Sequence, residues 1–285
     1  MLPVVPTKLK LNRKPDNPQE TLNENFYYSG FFAAEMTCSV IKAANYNPVG
    51  HYYFAVDITV TNADKALLQE VNQVVMKGGG IISSVKGAYN LSVRGKNRVH
   101  VVLDFLQRYP IIIGDLAKNR VALLREAFSY LEEHRGAGEH QKKIEVMDGI
   151  RKKLRLIKEI GIVDTSYPLE KLDRDVIGHF LAGILDGEGS FGFKTSGTHQ
   201  EPFFAVAMKD RKIIKLCRDF LQYGNVRKRK DGVHHYEINR KQILQKVCKI
   251  FLTQYPLKHA RQQERLRIVQ RLLNDYTQNH HKRGE

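Results

Sequence analysis

A glutamate at the end of an apolar helix pattern is the residue of this sequence best placed to do chemistry. Asp173 or Asp175 is the expected N-cap, and the helical spacing comes from Ile177, Phe180, Leu181, Ile184 and Leu185. A second face allows another helix backbone to approach closely, because it carries only Ala182, Gly183 and Gly187. The helix ends with the carboxylate of Glu188, where its dipole disfavours an anion, so we expect a cation nearby.

A weaker copy of this pattern lies near the N-terminus. Residues 28–36 align position for position with residues 181–189. The copy has small residues at Ser29, Gly30, Ala33 and Ala34, and its carboxylate is Glu35. Two carboxylates brought together below a basic surface suit phosphodiester hydrolysis with a divalent cation, because Mg²⁺ prefers hard oxygen ligands.

The elements predicted after each motif follow the same order. The first half is expected to form strands 37–41 and 51–60, helix 64–76, strands 81–86 and 89–94, and helices 101–109 and 116–134. The second half is expected to form strands 190–194 and 202–208, helix 211–220, strands 226–230 and 234–238, and helix 241–252. The motif carboxylate precedes a Tyr-Pro pair by 75 residues in one half and 68 in the other, which indicates an internal duplication.

The predicted fold class is α+β, with an αββαββα unit repeated in pseudo-symmetry. Two antiparallel four-stranded sheets carry helices on one face, so their other faces are free to form a polar, basic saddle around two central motif helices. The expected divisions are a mobile arm at 1–22, half-domains at 23–131 and 173–275, a linker at 132–172 and a tail at 276–285.

The charge of the chain favours a polyanionic partner. The formal net charge is +16, and residues 211–285 hold 19 Lys and Arg against 6 Asp and Glu. Charge that only keeps a protein soluble is the alternative reading. Cys38, Cys217 and Cys248 show no C-x-x-C pairing, so neither a disulfide framework nor a zinc site is indicated. An intracellular protein without a secretion signal or a membrane partner is expected.

Residues 181–189 closely resemble the motif helix of the LAGLIDADG homing endonucleases. The resemblance implies a single-chain, two-motif protein that is monomeric, binds double-stranded DNA and cleaves it site-specifically with Mg²⁺. It also implies that the last acid of each motif, Glu35 or Glu188, is the metal ligand that serves one strand. Asp186 is expected to pack or cap. Encoding within a mobile intron is favoured over an intein.

The family also places a basic and a polar residue near each carboxylate. The resemblance assigns the basic role to Arg261 in the second half and, by a poorer match, to Lys118 in the first. The polar role falls to Asn62, whereas the second half has Met208 there. Met36 replaces the glycine that usually closes the motif. These departures leave asymmetric cleavage, or loss of one strand's cleavage, open.

Basic residues near the predicted hairpins are the candidate DNA contacts. Alternate residues of a two-stranded ribbon can reach base edges in the major groove. In the first half these candidates are Lys86, Arg94, Lys96 and Arg98. In the second half they are Lys194, Arg227, Lys228, Arg229, Lys230 and Arg240. Strand alternation puts Arg227 and Arg229 on one face and Lys228 and Lys230 on the other, so only one pair can face the groove.

Two other functions fit the same scaffold. A maturase that binds its host intron RNA would retain the saddle and have weak or lost DNA cleavage. A DNA-binding regulator would use the saddle without catalysis. The residues of the sequence alone do not separate these from the nuclease.

Overall fold

The computed structural model describes residues 22–44, 52–134, 140–157, 172–196 and 199–281. Nearly all of the predicted N-terminal arm, the turn expected at residues 45–48 and much of the predicted linker lie outside these ranges, as do the last residues of the predicted tail. Within the described part of the chain, no helix is both long enough and apolar enough to cross a membrane.

Between Phe26 and Glu133 the first half forms four helices and four strands. The motif helix α1 (Phe26–Glu35) leads directly into β1 (Met36–Ala44) and β2 (Tyr52–Asn62). Helix α2 (Lys65–Val74), strands β3 (Ile81–Val85) and β4 (Ala88–Arg94), and helices α3 (Lys96–Arg108) and α4 (Asp115–Glu133) follow. The order matches the predicted one, although the helix expected at 101–109 begins five residues earlier.

The second half repeats this order. Helix α6 (Arg174–Glu188) leads into β5 (Gly189–Ser196) and β6 (His199–Met208), followed by α7 (Arg211–Leu221), β7 (Asn225–Lys228) and β8 (His234–Ile238). Helix α8 (Lys241–Lys249) continues as a π-helical turn (Ile250–Gln254), and α9 (Ala260–His281) ends the half. Helix α9 therefore runs six residues beyond the boundary expected at 275.

Aspartates begin helices at matching places in the two halves. Asp64 Oδ1 accepts hydrogen bonds from the backbone N–H groups of the first turn of α2, and Asp210 accepts from Lys212 N at the start of α7. Asp173 accepts from Asp175 N and caps α6, which confirms one of the two predicted caps. Such a side chain satisfies backbone donors that the helix itself leaves without acceptors.

Each half forms one antiparallel sheet, with strand order β1-β2-β4-β3 in the first and β5-β6-β8-β7 in the second. Alternate residues, such as Val56, Ile58 and Val60 of β2, are buried in a core shared with the helices. The other face of each sheet is not covered by this core. The predicted fold class is confirmed.

A helix within the predicted linker belongs to the first half by its contacts. Helix α5 (His140–Arg155) packs beside β1, with Met147 and Ile150 buried. Asp148 Oδ2 accepts from Lys42 Nζ at 2.6 Å, and Arg151 Nε donates to Val40 O at 3.1 Å. This segment therefore covers part of the first sheet as well as connecting the halves.

Candidate functional site

The two motif helices cross at a pair of glycines. A Cβ atom at Gly30 would lie 1.9 Å from Phe180 O, and one at Gly183 would lie 1.9 Å from Tyr27 O. The two contacts are reciprocal, because Tyr27 and Phe180 each stand three residues before the glycine of their own motif. Only residues without a side chain permit this separation between backbones. The small face predicted from the sequence is therefore the crossing point of α1 and α6.

This crossing brings the two predicted carboxylates to the same place. Glu35 and Glu188 are the last residues of α1 and α6. A Cβ atom at Gly187 would lie 3.1 Å from Glu35 Cγ and 3.3 Å from Glu35 Oε1, so Glu35 packs directly against the residue that precedes Glu188. The expected juxtaposition of the acids is thus present.

The electrostatics of this pair favour a cation. Burial raises the pKa of Glu35 to about 7, against a lowering effect of the hydrogen bond from Asn62, and the charge of Glu188 raises it further. Glu188 is exposed as a residue, but partial burial of its carboxyl raises its pKa too. Neither carboxylate forms an ion pair with another residue that the structure describes. The desolvation of the two carboxylates and the repulsion between them are therefore not offset by an ion pair.

The two acids have different neighbours. Asn62 Nδ2 donates to Glu35 Oε1 at 3.2 Å. The corresponding position beside Glu188 is Met208, which lines a cleft together with Glu188, Lys209 and Arg120. Glu188 therefore has basic neighbours in its cleft, whereas Glu35 has an amide.

The sequence does not identify Arg120 as a residue of the Glu188 cleft, and Lys118, the predicted basic residue, does not line that cleft. Arg120 lines the Glu188 cleft and donates from Nη1 to Met36 O at 3.1 Å. Lys118 instead lines a separate groove with Leu106, Pro110 and Arg125. Residues two apart on a helix point about 200° from each other, so one helix cannot direct both into the same cleft. Leu116 and Arg120, which both line the Glu188 cleft, are four residues apart and lie on one face of α4.

The helix that follows each Tyr-Pro pair docks against the other half. Asp64 Oδ2 accepts from Ala260 N, the first residue of α9, at 2.9 Å. In the counterpart contact, Asp210 Oδ2 accepts from Leu116 N of α4 at 3.2 Å. Arg261 is consequently held near Asp64, two residues after Asn62. Its side chain is exposed, and the next residue, Gln262, donates from Nε2 to Gly189 O at 2.7 Å, directly after Glu188.

Asp186 has the packing and capping role predicted for it. It is buried and accepts from Tyr27 Oη at 2.6 Å, Lys258 N at 2.6 Å and His259 N at 3.0 Å. Burial raises the pKa of Asp186 to about 6, while these donors lower it. The hydrogen bonds of Asp186 therefore connect the turn before α9 to the two motif helices.

The donor set of the two acids suits Mg²⁺. Within the described ranges, no three or more His, Cys, Asp or Glu residues converge as a closed metal site. Mg²⁺ characteristically uses one or two protein carboxylates and takes its remaining oxygens from water and substrate phosphates. Glu35 and Glu188 are the residues that would supply such carboxylates.

The open faces of the sheets receive only some of the predicted DNA contacts. We define the first open face by the odd-numbered residues of β1, β2 and β3 and the even-numbered residues of β4. The second open face consists of the even-numbered residues of β5 and the odd-numbered residues of β6, β7 and β8. Arg94 lies on the first face, and Lys194 and Arg227 lie on the second. Lys86, Arg229 and Lys230 are exposed in the hairpin turns.

Several predicted contacts lie off the open faces. Lys96 and Arg98 belong to α3, because the chain leaves the sheet at Gly95, and Lys96 forms an ion pair with Glu132 of α4. Lys228 shares the other side of its sheet with His234, and Arg240 precedes α8. The expectation that Lys96, Arg98 and Arg240 sit on the groove-facing ribbon is therefore wrong. Of the two neighbours in β7, Arg227 and not Lys228 lies on the open face.

Most of the charge counted in the second half is also away from its sheet. Of the 19 basic residues after position 210, 11 lie on helices, which are Arg211, Lys212, Lys215, Arg218, Lys241, Lys246, Lys249, Arg261, Arg265, Arg267 and Arg271. The charge count therefore overstates the positive charge of the second open face.

Comparisons with known proteins agree with this geometry. Residues 181–270 match the family model of the LAGLIDADG endonucleases. The crystal structure of the LAGLIDADG homing endonuclease I-GzeII in complex with its DNA target superposes with a TM-score of 0.75, covering 90% of this chain and 92% of that one at 17% identity. The chain has the fold of the single-chain LAGLIDADG homing endonucleases.

Two further structures with the LAGLIDADG fold are similar. I-LtrWI bound to target DNA gives a TM-score of 0.71 at 15% identity, covering 90% of this chain and 91% of that one. I-SmaMI bound to uncleaved DNA in the presence of calcium gives 0.68 at 19% identity, with coverages of 88% and 92%. No curated protein matches the chain in sequence. The family model covers the second LAGLIDADG motif, so the first motif is identified by its place in the fold.

Proposed function

We propose that this protein is a site-specific double-stranded DNA endonuclease, encoded within a mobile intron, that acts as a monomer with Mg²⁺. The observation that carries the proposal is the packing of Glu35 against Gly187, the residue before Glu188, without a basic side chain paired to either acid. The LAGLIDADG fold and the two open sheet faces beside this pair support a duplex as the substrate.

In this proposal the two carboxylates hold the cation at the scissile phosphates. Mg²⁺ held there would supply a lowered pKa of a water molecule and stabilisation of the charge on the attacking and leaving oxygens. Asn62 orients Glu35 through its hydrogen bond. Because the pKa of Glu35 is about 7, its carboxyl must release a proton at neutral pH before it becomes a ligand.

Arg120 and Lys209 are the proposed basic residues of the Glu188 cleft. A guanidinium or ammonium group there would attract a phosphate and stabilise negative charge that forms during hydrolysis. Arg261, held near Asp64, is proposed to act on the Glu35 side. The different sets of neighbours lead us to expect unequal cutting of the two strands.

The test begins with selection of bound duplexes from a randomised DNA library in EDTA. The recovered sequence is then placed in a supercoiled plasmid and incubated with Mg²⁺. We expect the wild-type protein to linearise the plasmid, and EDTA to prevent this. Glu35→Gln and Glu188→Gln should each convert the plasmid only to the nicked form, and the nicks should lie on opposite strands.

A variant with both substitutions should leave the plasmid supercoiled, whereas Glu133→Gln, at an exposed residue outside the site, should cut normally. Linearisation by the doubly substituted protein would show that other residues perform the hydrolysis. Binding by wild-type protein with no cutting in Mg²⁺ would also reject the nuclease proposal.

A further inference from the structure

Equivalent positions on the two open faces carry different chemistry. On the first face Ser83 pairs with Asn90, and on the second Arg227 pairs with His235. These pairs correspond by their position in the sheets. Each pair joins the edge strand, β3 or β7, to its neighbour, β4 or β8. The next residue across, in β2 or β6, directly follows the residue that pairs with the first residue of β1 or β5. The duplication therefore supplies an internal comparison between the faces.

The first open face is mainly neutral. Ile81 and Val85 of the edge strand β3 are 63% and 38% exposed, although aliphatic side chains usually avoid water. Thr61 Oγ1 donates to Asn90 Oδ1 at 2.7 Å. The charged residues among those described on this face are Asp57 and Arg94. Arg94 Nε donates to Asp57 Oδ1 at 3.2 Å, and the side chain of Arg94, at the end of β4, is 62% exposed. This face therefore presents methyl groups, hydroxyls and an amide, with one guanidinium at its end.

The second open face carries two cations, Lys194 and Arg227, and two acids, Glu237 and Glu201, of which Glu201 lies opposite Lys194 in β6. Glu237 forms an ion pair with Lys194, and its Oε2 lies 3.8 Å from Arg227 Nη2. The side chain of Glu237 is 13% exposed, while that of Arg227 is 67% exposed. The carboxylate of Glu237 therefore orients the side chains of Lys194 and Arg227, and the guanidinium of Arg227 remains accessible.

These two surfaces fit different base pairs. Arg or Lys in the major groove pairs with the O6 and N7 acceptors of guanine, whereas Asn pairs with adenine and apolar side chains contact the thymine methyl group. We propose that the first open face reads an A·T-rich half-site through Ile81, Val85 and Asn90, and that the second reads guanines through Arg227 and Lys194. This inference rests on the proposed function, since it names the sequence class of the same DNA substrate.

The test uses binding selection from randomised duplexes and compares Arg227→Ser with Lys228→Ser. Both variants remove one positive charge from β7, but only Arg227 lies on the open face. Loss of one bidentate contact to guanine typically reduces base discrimination by about tenfold. We expect Arg227→Ser to lose a guanine preference in one half-site by about that factor. Lys228→Ser should keep the preference and weaken all duplexes alike.

Two further measurements examine the first face. Ser83→Arg should create a guanine preference in the other half-site. Replacing thymidine by deoxyuridine removes only a methyl group, and in the half-site bound by the first face it should weaken binding by about fourfold per contacted methyl, the equivalent of ~0.8 kcal/mol. The same replacement in the half-site bound by the second face should have no effect.

The outcomes separate this inference from the proposed function. A half-site at the first face no richer in A·T pairs than the other, or survival of the guanine preference in Arg227→Ser, would overturn the assignment of the two faces while leaving a DNA-binding nuclease intact. A wild-type protein that enriches no duplex would overturn both.

Discussion

Replacing Glu35 by glutamine should make the protein more stable and less active. Burial and the charge of Glu188 raise the pKa of Glu35 from 4.5 to about 7. The folded protein therefore binds a proton between these pH values that the unfolded chain has released, so stability falls as pH rises through this range. The difference corresponds to at most ~3 kcal/mol of unfolding free energy above pH 7.

Glutamine removes the ionisation and keeps an oxygen that can accept from Asn62. Glu35→Gln should thus be ~2–3 kcal/mol more stable than the wild-type protein at pH 8 and differ by less than ~1 kcal/mol at pH 5. Urea unfolding at both pH values in EDTA measures this. The matched control, Glu133→Gln, should change stability little at either pH, because Glu133 is exposed.

The same assay links stability to cation binding. Added Mg²⁺ at pH 8 should stabilise the wild-type protein, because a ligand that binds only the folded state shifts the unfolding equilibrium. Glu35→Gln should respond less, since it lacks one carboxylate. An equal stability gain at pH 5 and pH 8, or a variant less stable than the wild-type protein at pH 8, would refute the reasoning about Glu35.

Two further predictions concern the joint between the halves. Gly183→Ala should reduce the free energy of unfolding by about 3 kcal/mol, because the new Cβ would meet Tyr27 O at 1.9 Å. Gly149→Ala, at an exposed position of helix α5, should leave the melting temperature equal or higher; similar melting temperatures for both variants would contradict this. Asp64→Ala should lower the free energy of unfolding by about 2 kcal/mol, because Asp64 caps both α2 and α9. Asp173→Ala removes one cap and should lower it by about half as much, which chemical unfolding of the two variants measures.

Much of the fold could be predicted because the relevant signals are local. Alternation of apolar residues along β2, the Asp-Gly turn before β8 and the aspartate caps each act over a few residues. The repeated spacing then indicates two similar units. The sequence predicts only a linking role for the segment that forms helix α5. Its packing role depends on Lys42 and Val40 of a distant strand, and no local pattern indicates such contacts.

The site was predictable in part for the same reason. Glu35 and Glu188 end recognisable helices, and the glycines before them mark a close crossing. Arg120 is not identified by the sequence, because the sequence does not show which side of α4 faces the Glu188 cleft. Lys96 and Arg98 lie on α3 and not beside the hairpin, because α3 begins five residues before the helix that the sequence predicts.

The sequence by itself determined the repeated elements, the two carboxylates and the small residues that let their helices meet, since side-chain size and periodicity are properties of short segments. Only the tertiary structure decided which neighbours each carboxylate has. Asp64 and Asp210 each cap a helix of the opposite half, so residues that are near in sequence serve different acids. Packing across a pseudo-twofold axis places a helix of each half against the other half, and the order of residues along the chain does not reveal this arrangement.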